Sequence, residues 1–220
     1  MKYIHKAIFS HKSRSFLEQK VGILMENGWD CVKQIYQSSD GHFNVEMEIS
    51  QYVTIYCSIT DVLYPGDDEK QKFALCLYKN GQFENIKFIS SSVKNLIGIL
   101  DENGGRLRVH SSWRYRIIGD PEMMTNLFKN NGFKSHHLHN DFFVRPKGLT
   151  GYMKDRDINF SNSDDSFINI VIDKDKNLKL GDYFILYNPV NIKEGLSITD
   201  VENIKGLIKE RLDNLFLKLD

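Results

Sequence analysis

Four of the chain's eight arginines fall within eleven residues, in the segment Arg106-Leu-Arg-Val-His-Ser-Ser-Trp-Arg-Tyr-Arg116. Guanidinium groups at this density suit bidentate hydrogen bonds to phosphate or carboxylate. Alternation along a strand puts Arg106, Arg108 and His110 on one face, and Arg114 and Arg116 share a face of the next strand. A three-residue connection, Ser111 to Trp113, pairs His110 with Arg114 and Arg108 with Arg116. Leu107, Val109, Tyr115 and Ile117 then turn together into a core. The register predicts an arginine-rich hairpin, and cations crowded on one side of it repel one another unless an anion lies between them. The competing reading is a solvated face neutralised by Asp101, Glu102, Asp120 and Glu122. Lys134, His136, Arg145 and Lys147 add positive charge nearby.

The second chemical cluster is His136-His-Leu-His-Asn-Asp141. On a strand, His137 and His139 project to the same side and Asp141 joins them. Two imidazoles and a carboxylate leave an open position for water on zinc or manganese. The order His-x-His-x-Asp is similar to the metal motif of metallo-β-lactamase-type hydrolases. That motif closes with another histidine, and Phe142 occupies the place here. The likeness covers five residues, lacks the glycine-rich continuation, and does not make the chain a member of that family; the ligand chemistry alone would allow a divalent metal as cofactor and a metal-dependent hydrolase, for instance of phosphodiesters. The competing reading is an edge strand near a turn at Asn140 and Asp141, with no cofactor.

Other patterns fail a chemical test. Asp173-Lys-Asp-Lys-Asn177 begins like a calcium loop, but Leu178 replaces the sixth-position glycine and Phe184 the twelfth-position acid. It reads as a charged hairpin turn. Glu46 and Glu48 share a strand face and read as solvated. No phosphate-cradling glycine loop, dinucleotide fingerprint or nucleophile elbow is present.

The positioning elements are punctuated locally. Ser15 and Glu18 form a capping box opening a helix that stops at Asn27–Gly28. Further helices are expected from Ser91 or Ser92 to Asn103–Gly104, and from Asp120–Pro121 to Asn131–Gly132. The last starts at Thr199 with Glu202, and carries a stripe through Val201, Ile204, Ile208, Leu212, Leu215 and Leu219. Strands are expected at 43–49, 53–59, 106–110, 113–118, 133–139, 142–145, 167–172 and 183–187. Residues 73–78 and 83–88 flank Asn80–Gly81, a strong hairpin signal. Residues 67–70 and 150–165 read as loops.

These elements predict an α+β fold of two tandem modules, 1–104 and 105–220. Each is a mostly antiparallel sheet with two helices in strand-helix-strands-helix order. The parallel between residues 3–49 and 113–146 suggests internal duplication, and the order resembles the β-α-β4-α arrangement of the TATA-binding-protein fold, with one strand too many in the first half.

Lys plus Arg and Asp plus Glu are 29 each, so net charge gives no global drive toward nucleic acid; a local patch still does. Cys31, Cys57 and Cys76 are too few and too widely spaced for a disulfide framework or a thiolate zinc site. They read as small core residues in a reducing, cytoplasmic setting. No apolar stretch is long enough to span a bilayer. The absence of catalytic signatures predicts a non-catalytic binding protein. Its partner is a macromolecule, either nucleic acid or protein, with room for a small-molecule ligand. The alternatives are the metal-dependent hydrolase and a protein inhibitor or immunity-type factor.

Overall fold

The computed structural model describes residues 5–26, 29–49, 53–144, 154–161, 168–191 and 194–217. In chain order these form β1 (His5–His11), α1 (Arg14–Glu26), β2 (Asp30–Gln37), β3 (Phe43–Ile49), β4 (Val53–Cys57), α2 (Asp68–Lys79), α3 (Ser90–Glu102) and β5 (Arg106–Val109). There follow α4 (Trp113–Arg116), α5 (Pro121–Asn130), β6 (Leu138–Phe143), α6 (Lys154–Phe160), β7 (Ile168–Ile172), β8 (Phe184–Tyr187) and α7 (Ile198–Leu217). The fold is mixed α/β, with seven helices and two sheets among the described residues.

The smaller sheet is antiparallel, ordered β1-β3-β2. Its buried positions alternate as half-buried antiparallel strands require: Val45 and Met47 join the core with Leu17 and Leu24 of α1. Glu46 and Glu48 face outward, beside Lys33 and Lys6.

The larger sheet has five strands, all parallel, ordered β6-β5-β4-β7-β8. The chain enters at the centre, steps outward through β5 and β6, then crosses back to add β7 and β8 on the other side. The direction of winding therefore reverses between β4 and β7. On open parallel sheets, the crevice at the carboxyl ends beside such a reversal is where ligands bind.

Both faces of this sheet are covered. Ile55, Cys57, Leu107, Val109, Ile170 and Ile172 point into the main core with α3, α5 and α7. Tyr56 and Val171 point the other way, against Ile158 of α6. All five residues of β4 and of β7 are buried for this reason.

The tandem antiparallel modules are not what the chain builds. Strands from both sides of residue 104 pair in one parallel sheet, and the expected repeat of 3–49 in 113–146 does not form. The hairpin expected around Asn80–Gly81 is also replaced. Asp67 caps α2 by accepting from the Lys70 amide at 2.8 Å, Ala74 and Leu77 form its buried face, and Gly81 at φ 70° follows its end. Asn-Gly serves a helix stop as readily as a hairpin turn, because both need a left-handed residue. The segment 113–118 opens with α4 rather than a strand, and α6 lies inside the stretch read as a loop.

The Ser15–Glu18 capping box does not form: α1 starts at Arg14, Ser13 accepts from the Phe16 amide, Glu18 pairs with Arg14, and the expected stop at Asn27–Gly28 lies outside the described residues. Punctuation at the later helices carries through. α5 starts at Pro121 with Asp120 accepting from the Met123 amide. α7 starts two residues earlier than expected, on a reciprocal Ser197–Asp200 cap. Of its stripe, Ile204 and Ile208 are buried, the Leu215 side chain is not described, and Leu219 lies outside the described residues. Cys57 is buried, whereas Cys31 and Cys76 are exposed, so only one of the three is a core residue. No described helix is long and apolar enough to cross a membrane.

Candidate functional site

Three side chains stand one residue beyond three neighbouring strands. His110 follows β5, Ser58 follows β4 and Asp173 follows β7. The ladder carries one step past the strand ends, through His110 N–H to the Cys57 carbonyl (3.3 Å) and Ser58 N–H to the Ile172 carbonyl (3.0 Å). Ser58 therefore sits in register between His110 and Asp173. Its small side chain lets the other two meet: His110 Nε2 lies 2.9 Å from Asp173 Oδ2, both fully buried. Lys154 of α6 donates to the same oxygen at 2.6 Å.

Burial disfavours the imidazolium and lowers the His110 pKa to about 4, against the upward pull of Asp173. Burial alone raises the Asp173 carboxyl. The hydrogen bond and charge of His110 and the Lys154 ammonium outweigh it and hold the group well below the ordinary carboxylate range. At neutral pH the trio is thus a neutral imidazole, a carboxylate and an ammonium. The ionised carboxylate fixes the proton on Nε2 and leaves the Nδ1 lone pair unprotonated. Nδ1 and the Ser58 hydroxyl are both buried without a hydrogen-bond partner among the described residues.

Near the same strand ends opens a cleft of about 540 Å³, lined by Thr60, Ser112 and Lys174 from the segments that follow β4, β5 and β7 but not by the buried row itself. Lys72 of α2, Arg116 of α4, Lys154 and Lys174 line it, against the single acid Asp68. Leu75, Trp113 and Ile117 supply an apolar wall, with the Trp113 indole N–H shared between Gln71 Oε1 (2.8 Å) and Thr60 Oγ1 (3.1 Å). Lys154 and Lys174 each meet a carboxylate, Asp173 and Asp61 respectively. Lys72 and Arg116 are exposed and make no ion pair among the described residues.

The turn after β4 is strained. Asp61 is buried at φ 64°, the only described non-glycine residue at positive φ. Its carboxylate packs against Gly66, where a Cβ would overlap it. Gly66→Ala is expected to cost roughly 1–3 kcal/mol, the ordinary penalty for overpacking a site that cannot yield. A shift in the urea midpoint measures this.

The expected arginine hairpin does not exist. Residues 106–109 are an inner strand of the parallel sheet and residues 113–116 a short helix, so the five side chains disperse. Arg106 donates to the His136 carbonyl. Arg108 is buried on the α6 side, donating to the Ser161 carbonyl at 2.7 Å and lying 5.3 Å from the Tyr56 ring. His110 is taken by Asp173. Arg114 is buried in a cage of the Ser111, His110 and Val144 carbonyls and the Asp157 carboxylate. Only Arg116 reaches the cleft.

The expected metal ligands do not converge either. His137 ends a short 3-10 turn before β6, His139 Nδ1 accepts from the Asp141 amide, and Asp141 is exposed. The ligand atoms that gather are those of Asp101, His136 and His137, all within 4.8 Å of one another. His137 Nδ1 accepts the Lys134 amide at 3.0 Å, which puts its proton on Nε2, facing Asp101 Oδ1 at 3.0 Å. A metal on Nε2 would need the proton moved to Nδ1, against that amide. The trio is therefore built as a hydrogen-bonded clasp between α3 and the turn before β6.

Ser58, Lys154 and Lys72 carry no sequence pattern, and Asp173 and Lys174 read only as the start of a charged hairpin turn. One signal was present: an acid directly after a β-branched apolar run, as in Ile170-Val-Ile-Asp173, marks the carboxyl edge of a buried parallel strand. Comparison of the chain with protein-family models, with curated proteins and with solved structures finds no match to any of them.

Proposed function

We propose that the chain binds an anionic partner in the cleft at the carboxyl edge of its parallel sheet. The observation that carries this reading is the imbalance of the lining. Four cations face one acid, and two of the cations, Lys72 and Arg116, pair with no carboxylate among the described residues. The position beside the winding reversal supports it independently. The volume lies within the range of about 300–1,000 Å³ typical of small-molecule sites. The partner is therefore a small anion or a single anionic group presented by a macromolecule, rather than a long nucleic-acid backbone.

The chain carries its own reporter. Trp113 is one of two tryptophans and forms part of the cleft wall. In a Trp29→Phe background, inorganic pyrophosphate is expected to change its fluorescence saturably, with an apparent Kd that weakens as salt rises. Arg116→Glu and Lys72→Glu are each expected to weaken binding about tenfold or more, the equivalent of one charge-assisted contact. No fluorescence change with pyrophosphate, or unchanged affinity in both variants, overturns the proposal.

A further inference from the structure

We infer that the cleft takes a phosphate monoester with a compact hydrocarbon body, its phosphate on Lys72 and Arg116 and its body against Leu75 and Ile117. This ligand class rests on the anion-binding reading of the cleft and adds to it what the anion is attached to.

The charge left over sets the head group. Lys154 and Lys174 are already met by the Asp173 and Asp61 carboxylates. The lining acid Asp68 lies in the first turn of α2, where the positive end of the helix dipole holds it. Lys72 and Arg116 remain, and they pair with no carboxylate among the described residues. A phosphate monoester carries about −1.5 to −2 at neutral pH and offers three acceptor oxygens. A carboxylate carries a single charge and would leave one of the two cations uncompensated. Arginine engages two phosphate oxygens at once, and lysine adds a point charge beside them.

The lining sets the body. Asp68, Gln71, Lys72 and Leu75 follow one another at i, i+3, i+4 and i+7, so they form one stripe of α2. Leu75 stands about 4.5 Å further along the helix axis than Lys72. It is half-buried, packed against the main core on one side and lining the cleft on the other. Ile117 directly follows Arg116 at the end of α4 and also lines the cleft. Each uncommitted cation therefore has an aliphatic neighbour in the lining.

The two helices are tied together before any ligand arrives. Gln71 Oε1 accepts the Trp113 indole N–H at 2.8 Å, and Gln71 Nε2 donates to the Pro65 carbonyl at 2.7 Å. That joint joins the α2 stripe to α4, so the spacing of Lys72 from Arg116 is set in advance and the ordering cost of binding is reduced. The volume agrees. At roughly 30 Å³ per water, a space of about 540 Å³ holds on the order of 18 waters. Inorganic phosphate displaces only a few of them. A phenyl-sized body also displaces the waters lying on Leu75 and Ile117, whose release is favourable.

Calorimetric titration of the full chain at neutral pH, with phenyl phosphate, inorganic phosphate and benzoate as probes, tests this. Phenyl phosphate is expected to bind about tenfold or more tighter than inorganic phosphate, from burial of the ring. Its binding is expected to show a negative heat-capacity change that inorganic phosphate lacks. Benzoate, with the ring but one charge, is expected to bind about tenfold or more weakly than phenyl phosphate. In Leu75→Gln the preference for phenyl phosphate over inorganic phosphate is expected to fall about threefold or more, with the inorganic anion bound as before. Leu75→Met keeps an apolar wall and is expected to keep the preference; urea midpoints show that both variants fold. Equal affinity for phenyl phosphate and inorganic phosphate, or a preference untouched in folded Leu75→Gln, removes the hydrocarbon body and leaves the anion cleft. Benzoate bound as tightly as phenyl phosphate overturns the phosphate head. Failure of pyrophosphate, inorganic phosphate and phenyl phosphate alike to bind removes the anion cleft and the ligand class together.

Discussion

Arg114→Ala is expected to lower folding stability by roughly 3–5 kcal/mol, whereas Arg116→Ala, two residues on, changes it by no more than about 0.5 kcal/mol. The two arginines share a short helix and nothing else. Arg114 is fully buried in its side chain, with bonds to the carbonyls of Ser111 (3.0 Å) and His110 (2.7 Å), a further one to Val144, and an ion pair of 3.2 Å to Asp157. Truncation strips those carbonyls of a donor and leaves the Asp157 carboxylate, also fully buried, without its principal countercharge. Uncompensated buried charge is the costly half of such a pair, so the double variant Arg114→Met/Asp157→Leu is expected to lose less than the two single changes summed. Urea midpoints of the four chains measure the cycle. Additive losses would mean that the guanidinium acts on the carbonyls alone. Arg116 shows the reverse profile, with unchanged stability and weakened anion binding.

Acid is expected to destabilise the protein in a window set by His110. Its folded pKa, about 4, lies below the ordinary 6.5, so between those values the unfolded chain takes up a proton that the folded chain refuses. Stability therefore falls as pH drops from 6.5 toward 4, by about 3 kcal/mol in total for this one group. Below 4 both states carry the proton and this slope ends. Asp173 acts in a lower window. Its folded carboxyl is depressed, so its contribution is complete above the unfolded value of 3.8 and is lost as pH falls below it. His110→Gln keeps an N–H donor for Asp173 and cannot titrate. Urea unfolding at pH 7 and at pH 4.5, in the native chain and in this variant, isolates the histidine. Parallel losses in the two chains would place the acid sensitivity elsewhere.

How far the sequence speaks is clearest in the segment 106–116. Alternation correctly put Arg106 and Arg108 on one face of a strand, because the two-residue period is a property of the backbone. It gave no access to what that strand pairs with. Ladder bonds run between backbones and carry no side-chain identity, so a strand's own residues do not name its partner, and direction comes from the connections. Reading Phe73 to Phe88 as a hairpin removed the α2–α3 crossover, and with it the parallel sheet. Every later error at the site follows: the hairpin, the common arginine face and the two-module division.

What the sequence determined by itself was local: most of the helix starts and stops, through Asp120, Pro121, Gly104 and Gly132, and the positions of the principal apolar strands. Caps and left-handed glycines act within one turn of chain and need no distant partner. Only the tertiary structure decided the site. His110 and Asp173 are 63 residues apart and meet across Ser58 because three parallel strands end at one level. Burial then withdraws Arg108 and Arg114 into the protein's own carbonyls, while Arg116 and Lys72 stay at the rim. A charged side chain has the same composition in either place, and its fate is set by which neighbours the fold removes from water.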